Sequence, residues 1–455
     1  MIVMKFGGTS LEDANAICNA AAIILREHRP RLVVVSACAG VTNALRDAAI
    51  SASEDKEQNA LRILDALEVR HSAIANELLN QESADLFIRT LWKDIATLKK
   101  LVQSVANLKE LSDRTLDQFM SFGEQWSALI LYHFLLQRDV PVELIDARSV
   151  MITDKEFNRA TPLFDEMHSR CNEVFVNKQI VITQGFIGAT RDGIATTLGR
   201  GGSDYSASIF GAALNAEEIQ IWTDVNGILS ADPSILPEAK PIPELSFDEA
   251  SELAYFGAKV LHPSTILPAV HKNIPVRVLN SKSPDQEGTL IQHNSDANRD
   301  CIVKSIAYKE GITVITIKST EMLMSHTFLA QLFEIFSRYK KSIDVIATAK
   351  VSVSLTIDDS SNLEKICDEL KEFAEVQVEC GKAVFCVVGE NMKSYRGIAA
   401  KVFSALDENG INVELISNGA SHINLTFVID EAQISSAVHA LHNELFEPIT
   451  LSRII

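Results

Sequence analysis

The sequence has no apolar run near the roughly 20 residues a helix needs to cross a bilayer; runs such as Leu32 to Val35 fall far short, so no membrane span is expected. Met1 to Phe6 is mostly apolar but breaks at Gly7 and Gly8, with neither a basic leader nor a cleavage site, so a signal peptide is not expected and the chain is placed in the cytoplasm. Cysteine is sparse: Cys18, Cys38, Cys171, Cys301, Cys367, Cys380 and Cys386 are scattered, odd in number and never in a C-x-x-C pair. That pattern argues against metal ligands and suits buried free thiols. Positive charge is also short, with 42 Lys and Arg against 60 Asp and Glu and a formal net charge of -18. An acidic chain opposes wrapping a polyphosphate backbone, so nucleic acid is not an expected partner. The same charge repels small anions at long range. Any site for them must concentrate local cations and backbone N–H donors.

What is present is enough for several cores. At 455 residues, two or three domains are expected, and 47% hydrophobic with 22% charged residues is ordinary for a globular chain. From Met1 to about Leu290, Val- and Ile-rich runs alternate with helical patterns, the mark of an α/β domain with a largely parallel sheet. Strands are expected at Ile2 to Phe6, Arg31 to Ser36, Val140 to Ile145, Gln179 to Thr183, Glu218 to Trp222 and Pro275 to Leu279. A helical insertion is expected between Asp55 and Arg138, and a linker near Ser283 to Arg299. Beyond it, Phe328 to Asp358 and Ile398 to Asp430 share one helix-then-strand pattern, which reads as two small α+β units in tandem.

Several loops carry the features an anion site requires. Lys5-Phe6-Gly7-Gly8-Thr9-Ser10 follows the first strand, so its glycines let backbone N–H groups approach an anion while Lys5 adds a point charge. It is not a Walker A loop, because no G-x-x-x-x-G-K-[ST] occurs. Ser36-Ala37-Cys38-Ala39-Gly40-Val41-Thr42-Asn43 repeats the arrangement at the carboxyl end of the second strand, where open α/β sheets place ligands. Leu198-Gly199-Arg200-Gly201-Gly202-Ser203-Asp204 brings three glycines and an arginine to a helix start. Asp204, standing where G-x-G-x-x-G needs its last glycine, excludes a dinucleotide fingerprint. Trp222-Thr223-Asp224-Val225-Asn226-Gly227 and Phe256-Gly257-Ala258-Lys259-Val260-Leu261-His262-Pro263 add a polar turn and a second lysine. Cations on strand-end loops suit phosphoryl transfer, where positioning and charge neutralisation dominate.

The ordered set KFGGTS, SACAGVTN, FGE, TLGRGGSDYSA, IWTDVNGI and FGAKVLHP resembles the aspartate kinases, over nearly the whole chain. The resemblance implies an amino acid kinase fold, a three-layer α/β/α sandwich with a mainly parallel, eight-stranded sheet, plus two α+β ACT domains. It implies a catalytic domain at 1–295, a first ACT region at 296–385 and a second at 386–455. The length leaves no room for the homoserine dehydrogenase fused to some relatives, and the chain is similar to the monofunctional, lysine-sensitive bacterial type. The reaction implied is phosphorylation of the β-carboxylate of L-aspartate by ATP with Mg²⁺, which opens the lysine, threonine and methionine (diaminopimelate) pathway. Homodimers or dimers of dimers are implied.

By that resemblance Lys5 and Lys259 neutralise the transferring phosphoryl group, Gly7 and Gly8 contact phosphate, and Asp204 holds the lysines in place. Arg200 grips the α-carboxylate of aspartate and Glu124 its α-ammonium, with Thr42 and Ser203 completing the substrate site. Nucleotide contacts are expected at Lys5, Phe6, Gly7, Gly8, Thr223, Asp224, Leu229, Ser234 and Lys259; many relatives have Tyr at the position of Leu229 and Arg at that of Ser234. Mg²⁺ is implied through the nucleotide's phosphates, and no protein metal ligand is assigned. Met322, Ser325, Phe328, Leu329, Ser342 and Asp344 match positions that bind lysine in lysine-sensitive relatives. Ala349 and Lys350 depart from their usual Ser and Glu, so weakened lysine feedback is expected. Two alternatives remain: another amino acid kinase, or a non-catalytic amino-acid sensor that keeps its ACT modules.

Overall fold

The computed structural model describes residues 1–175, 178–257, 263–293, 303–319, 327–390, 392, 396–417 and 422–446. Two compact units emerge: Met1–Ile228, Pro243–Phe247 and Val260–Ser295 form the first, and Leu229–Ile242, Asp248–Lys259 and Asp296–Ile455 the second. Residues 229–242 and 248–259, expected in the catalytic domain, group instead with the second unit. The physical reason for the first segment is that Ser305 Oγ donates to Leu229 O at 2.8 Å and Ile306 N to Ser230 O at 2.8 Å, while Ala231 and Leu236 enter the core around Phe385 and Phe427.

In the first unit the six expected runs form neighbouring parallel strands in the order Glu143–Ile145, Ile180–Gln184, Arg31–Val35, Ile2–Phe6, Ile219–Thr223 and Val276–Asn280. Thr289–Gln292 continues the sheet antiparallel, and Glu244–Ser246 completes eight strands. Ile2–Phe6 and Arg31–Val35 are buried at every residue, which is why they read as continuous apolar runs rather than alternating ones. One face contributes Ile2, Met4, Phe6, Val33 and Val35 to a core shared with the helices between Ala14 and Leu136. The expected helical insertion resolves into Glu57–Leu78, Gln81–Leu108, Asp113–Met120 and Phe122–Leu136. Two of these start at side-chain caps, Asn80 Oδ1 accepting from Ser83 N at 2.9 Å and Ser112 Oγ from Thr115 N at 3.2 Å. Helix Gly202–Leu214 contacts Ile2–Phe6, Arg31–Val35 and Ile219–Thr223 and belongs to another layer. A small sheet of Ile152–Thr153, Ile187–Thr190 and Ala195–Thr197 was not expected, because strands of two to four residues carry no readable period.

The second unit is built on a six-stranded antiparallel sheet, in the order Ile346–Thr348, Ser352–Ile357, Val303–Lys318, Glu375–Gly389, Asn424–Asp430 and Leu415–Ser417. Its two longest strands serve both halves. Ile315 and Ile317 pack with Val353, Leu355 and helices Phe328–Arg338 and Leu363–Lys371, while Val303 and Ile306 pack with Phe385, Phe427 and helices Ile398–Glu408 and Ile434–Phe446. The duplicated pattern is therefore nested rather than in simple tandem. Strand residues 303–309, ahead of the first half in sequence, pair with 384–389 of the second.

Leu332 is fully buried in the first of these cores. Leu332→Ala should cost about 2–5 kcal/mol through lost burial and a residual cavity, read as a lower urea midpoint by far-UV circular dichroism.

Candidate active site

Parallel strands bring their carboxyl ends to one edge of the sheet, and three of the loops singled out in the sequence meet there. A cleft of about 380 Å³ is lined by Lys5, Gly8, the 36–40 loop, Thr42, Glu124 and residues 199–204. All four expected substrate residues, Thr42, Glu124, Arg200 and Ser203, are among its walls.

Lys5 sits one residue from the end of strand Ile2–Phe6, and its Nζ lies 2.6 Å from Asp204 Oδ1, with both side chains largely shielded from solvent. Asp204 stands in the first turn of helix Gly202–Leu214, where free backbone N–H groups favour a carboxylate. Gly199 and Gly201 take positive φ, at 79° and 69°, which bends the chain sharply enough to start that helix. A side chain at Gly8 would place its Cβ 2.9 Å from Ala37 O, so this glycine permits the 7–11 and 36–40 loops to touch. Gly7 plays a different part from the one expected. Its N–H donates to Trp222 O at 2.9 Å and is spent on the sheet, and Ser10 N donates to Gly7 O at 3.0 Å, which leaves the N–H groups of Gly8 and Thr9 to face a ligand. Phe6, also expected at the nucleotide, is fully buried and stacks on Trp222. It is a core residue because alternate residues of a central strand point into the layers on either side.

Glu124 lies in the first turn of helix Phe122–Leu136 and is 2% exposed. Its Oε1 accepts from Ala37 N at 3.1 Å, while Oε2 is buried with no hydrogen-bond partner among the described residues. Burial pushes the carboxyl up to about 8, only partly offset by the Ala37 N–H. Gly123 explains the close approach: a Cβ there would lie 2.7 Å from the Ala37 side chain. Ser127 Oγ adds a hydrogen bond to Ser36 O at 2.6 Å. Arg200 is exposed, and its guanidinium has no hydrogen bond or ion pair among the described residues. The cleft thus presents a carboxyl oxygen and a guanidinium that have no partner among the described residues. One residue absent from the sequence reading supports it from behind: Arg70 donates to Ala39 O at 2.8 Å and Glu12 O at 2.9 Å, joining the two glycine-containing loops. An arginine inside a long helix gives no sequence signal for that role.

The remaining expected positions are more dispersed. Thr223 ends strand Ile219–Thr223 and donates to Asp224 Oδ1 at 3.2 Å. Leu229 and Ser234 belong to the second unit, so the four nucleotide positions 223, 224, 229 and 234 are not assembled within either unit. Ser234 is held by Asp232, whose Oδ1 accepts from its N at 2.9 Å and its Oγ at 2.6 Å. Lys259, Met322 and Ser325 lie outside the described residues. Phe328 is buried and packs edge-to-face on Phe373, Leu329 is exposed, and Ser342, Ala349 and Lys350 are exposed. Asp344 lines a cleft of about 540 Å³ beside helix Phe328–Arg338. Its carboxylate is already engaged within the second unit, by Lys309 Nζ at 3.2 Å to each oxygen and by Tyr255 Oη at 2.7 Å. Lys309 also reaches Asp358 at 2.7 Å. Among the described residues no cluster of three or more His, Cys, Asp or Glu could hold a metal.

Comparison with known proteins places these features in context. The amino acid kinase family model matches residues 1–280 and an ACT domain model residues 385–445. Lysine-sensitive aspartokinase 3 of Escherichia coli is 38% identical over 459 residues, covering 98% of this chain and 99% of that protein. The chloroplastic aspartokinase 1 of Arabidopsis thaliana is 38% identical, covering 100% of this chain and 81% of the relative. Among solved structures, E. coli aspartokinase III in complex with aspartate and ADP (R-state) superposes with a TM-score of 0.85 at 36% identity, covering 98% of this chain and all of that one. The same enzyme with lysine and aspartate (T-state) gives 0.80 at 37% identity, covering 98% of this chain and all of that one.

A buried carboxyl raised from its ordinary value favours the folded protein at low pH, and that contribution is lost as pH rises from about 4.5 through about 8. Glu124→Gln, which cannot ionise, should therefore gain thermal stability relative to the unsubstituted protein between pH 5 and pH 9 in ligand-free melting curves.

Proposed function

The chain belongs to the amino acid kinase family and is an aspartate kinase; we propose that it transfers the γ-phosphoryl group of ATP to the β-carboxylate of L-aspartate at the cleft holding Lys5, Glu124, Arg200 and Asp204. The observation that carries the site reading is the pairing of opposite vacancies. Glu124 Oε2 is a buried carboxyl oxygen and Arg200 a guanidinium, each without a partner among the described residues, in one cleft. A free α-amino acid supplies both missing partners, its ammonium to Glu124 and its α-carboxylate to the two parallel donors of Arg200. Thr42 and Ser203, half-buried in the walls, offer hydroxyls to the rest of the substrate. An acid acylated on its nitrogen would leave Glu124 unpaired, which disfavours the acetylglutamate reading.

The attacking oxygen of the β-carboxylate is already anionic at neutral pH, so no group has to remove a proton from it. Catalysis then rests on alignment and charge. Lys5, fixed by Asp204, would neutralise charge on the phosphoryl group, and the N–H donors of Gly8 and Thr9 would meet phosphate oxygens. The tight approach of Gly8 to Ala37 fits such a role, since a side chain there would part the two loops. Mg²⁺ would enter on the nucleotide's phosphates and offset their charge.

The second unit supports amino-acid sensing with weakened lysine feedback. Asp344, the acidic residue expected to receive a lysine effector, is already neutralised by the chain's own Lys309, and Lys350 adds a cation nearby in sequence. A cationic effector would have to displace one lysine and approach another. Assembly through the ACT modules into a homodimer, or a dimer of dimers, belongs to the same proposal.

Two outcomes are expected in an ADP-release assay. Lys5→Ala should lose about 10²-fold or more in turnover with aspartate while remaining folded, and near-normal turnover would remove Lys5 from the mechanism. Millimolar rather than micromolar lysine should be needed for inhibition, and Lys350→Glu should increase sensitivity; tight inhibition of the unsubstituted enzyme would overturn the feedback reading.

A further inference from the structure

Glu124 and Arg200 come from separate elements, and a substrate held by both ends requires their spacing to be fixed. The link between the elements is a buried carboxylate that no sequence motif contains. Asp117 lies in helix Asp113–Met120, which leads through Ser121 directly into the Glu124 helix Phe122–Leu136. It is fully buried, and it accepts three hydrogen bonds. Its Oδ1 takes the Thr197 hydroxyl at 2.6 Å, and its Oδ2 takes Thr197 N at 2.9 Å and Asn158 N at 3.0 Å. Thr197 is the last residue of strand Ala195–Thr197, three residues before Arg200.

Asn158 braces the same loop from its other side. It adopts φ 66°, its Nδ2 donates to Asp113 Oδ1 at 2.8 Å, and a Cβ at Gly199 would lie 2.9 Å from its carbonyl oxygen. Ala160 N completes the brace by donating to Thr197 O at 2.9 Å. The three donors that converge on Asp117 thus hold both the root of the Arg200 loop and the turn packed against Gly199.

We infer that Asp117 is a positioning residue for aspartate, setting the distance between the group that takes the α-ammonium and the group that takes the α-carboxylate. The inference rests on the roles proposed for Glu124 and Arg200. It predicts an effect mainly on the amino acid, because Asp117, on the helix that leads into the Glu124 helix, is bonded to the root of the Arg200 loop, well before Asp204, and among the described residues makes no bond to the strand that carries Lys5.

The test is steady-state kinetics with separate titrations of aspartate and ATP, alongside melting curves. Asp117→Ala should raise the aspartate KM about tenfold or more, with the ATP KM little changed. Asp117→Asn should recover most of this, within about threefold of the unsubstituted enzyme, since an amide oxygen can accept both backbone N–H groups while its NH₂ donates to the Thr197 hydroxyl. Thr197→Val removes the hydroxyl contact alone, and it should raise the aspartate KM even if Asp117→Ala does not fold. An unchanged aspartate KM in a folded Asp117→Ala or Thr197→Val enzyme, or equal rises in both KM values, would overturn the inference. Absence of aspartate turnover in the unsubstituted enzyme would instead overturn the functional reading on which it stands.

Discussion

The contact between Lys5 and Asp204 ties the end of a central strand to the first turn of a helix nearly 200 residues later, and most of the cleft is arranged around it. Largely shielded ion pairs are poor sources of stability, because desolvating both charges offsets much of their attraction. What this one supplies is a fixed cation in an acidic protein. A chain of net charge -18 repels nucleotide and amino acid alike, and only a local reversal of sign can hold them together. Asp204 costs that cation some of its field and in return fixes where the ammonium stands.

Close backbone approach is the second constraint. Gly8 and Gly123 bring the 7–11 loop and the Glu124 helix against Ala37 at distances no side chain would permit. The Ala37 N–H can then serve Glu124, and Arg70 clamps the two loops from outside through carbonyl oxygens of Glu12 and Ala39. Glu124 is thereby placed on a helix packed against the two loops, and the exposed Arg200 is left to close on its anion.

Sequence reading found the five interior parallel strands because residues buried on both faces leave unbroken Val and Ile runs, with Ile219–Thr223 one residue along from the expected Glu218 to Trp222; the edge strand Glu143–Ile145 is exposed or half-buried and is shorter than the expected Val140 to Ile145. It missed Glu244–Ser246, Thr289–Gln292 and the small sheet, whose strands are too short to show a period. The cleft was legible where chemistry requires particular residue types in sequence, as at Lys5, Arg200 and Asp204. Gly7 and Phe6 were given ligand roles that the sheet and core claim instead, since a motif records which residues adjoin a site and not which way each group points. Arg70 and Asp117 were invisible because they act on backbone groups far away in the chain, 80 residues away for Asp117 and Thr197. The nesting of the two ACT-like halves was hidden for a related reason: strand order depends on pairing, which repeated local patterns do not reveal.

The central claim is that a buried carboxyl at Glu124 waits for the ammonium of a free amino acid. It is tested most directly by calorimetric titration of aspartate in two buffers of different ionisation enthalpy at pH 7. A carboxyl raised to about 8 is mostly protonated before binding, so pairing with an ammonium should release nearly one proton per aspartate bound. That release should vanish in Glu124→Gln, and N-acetylaspartate should bind far more weakly than aspartate. Binding without proton release, or equal binding of the acetylated acid, would contradict the account.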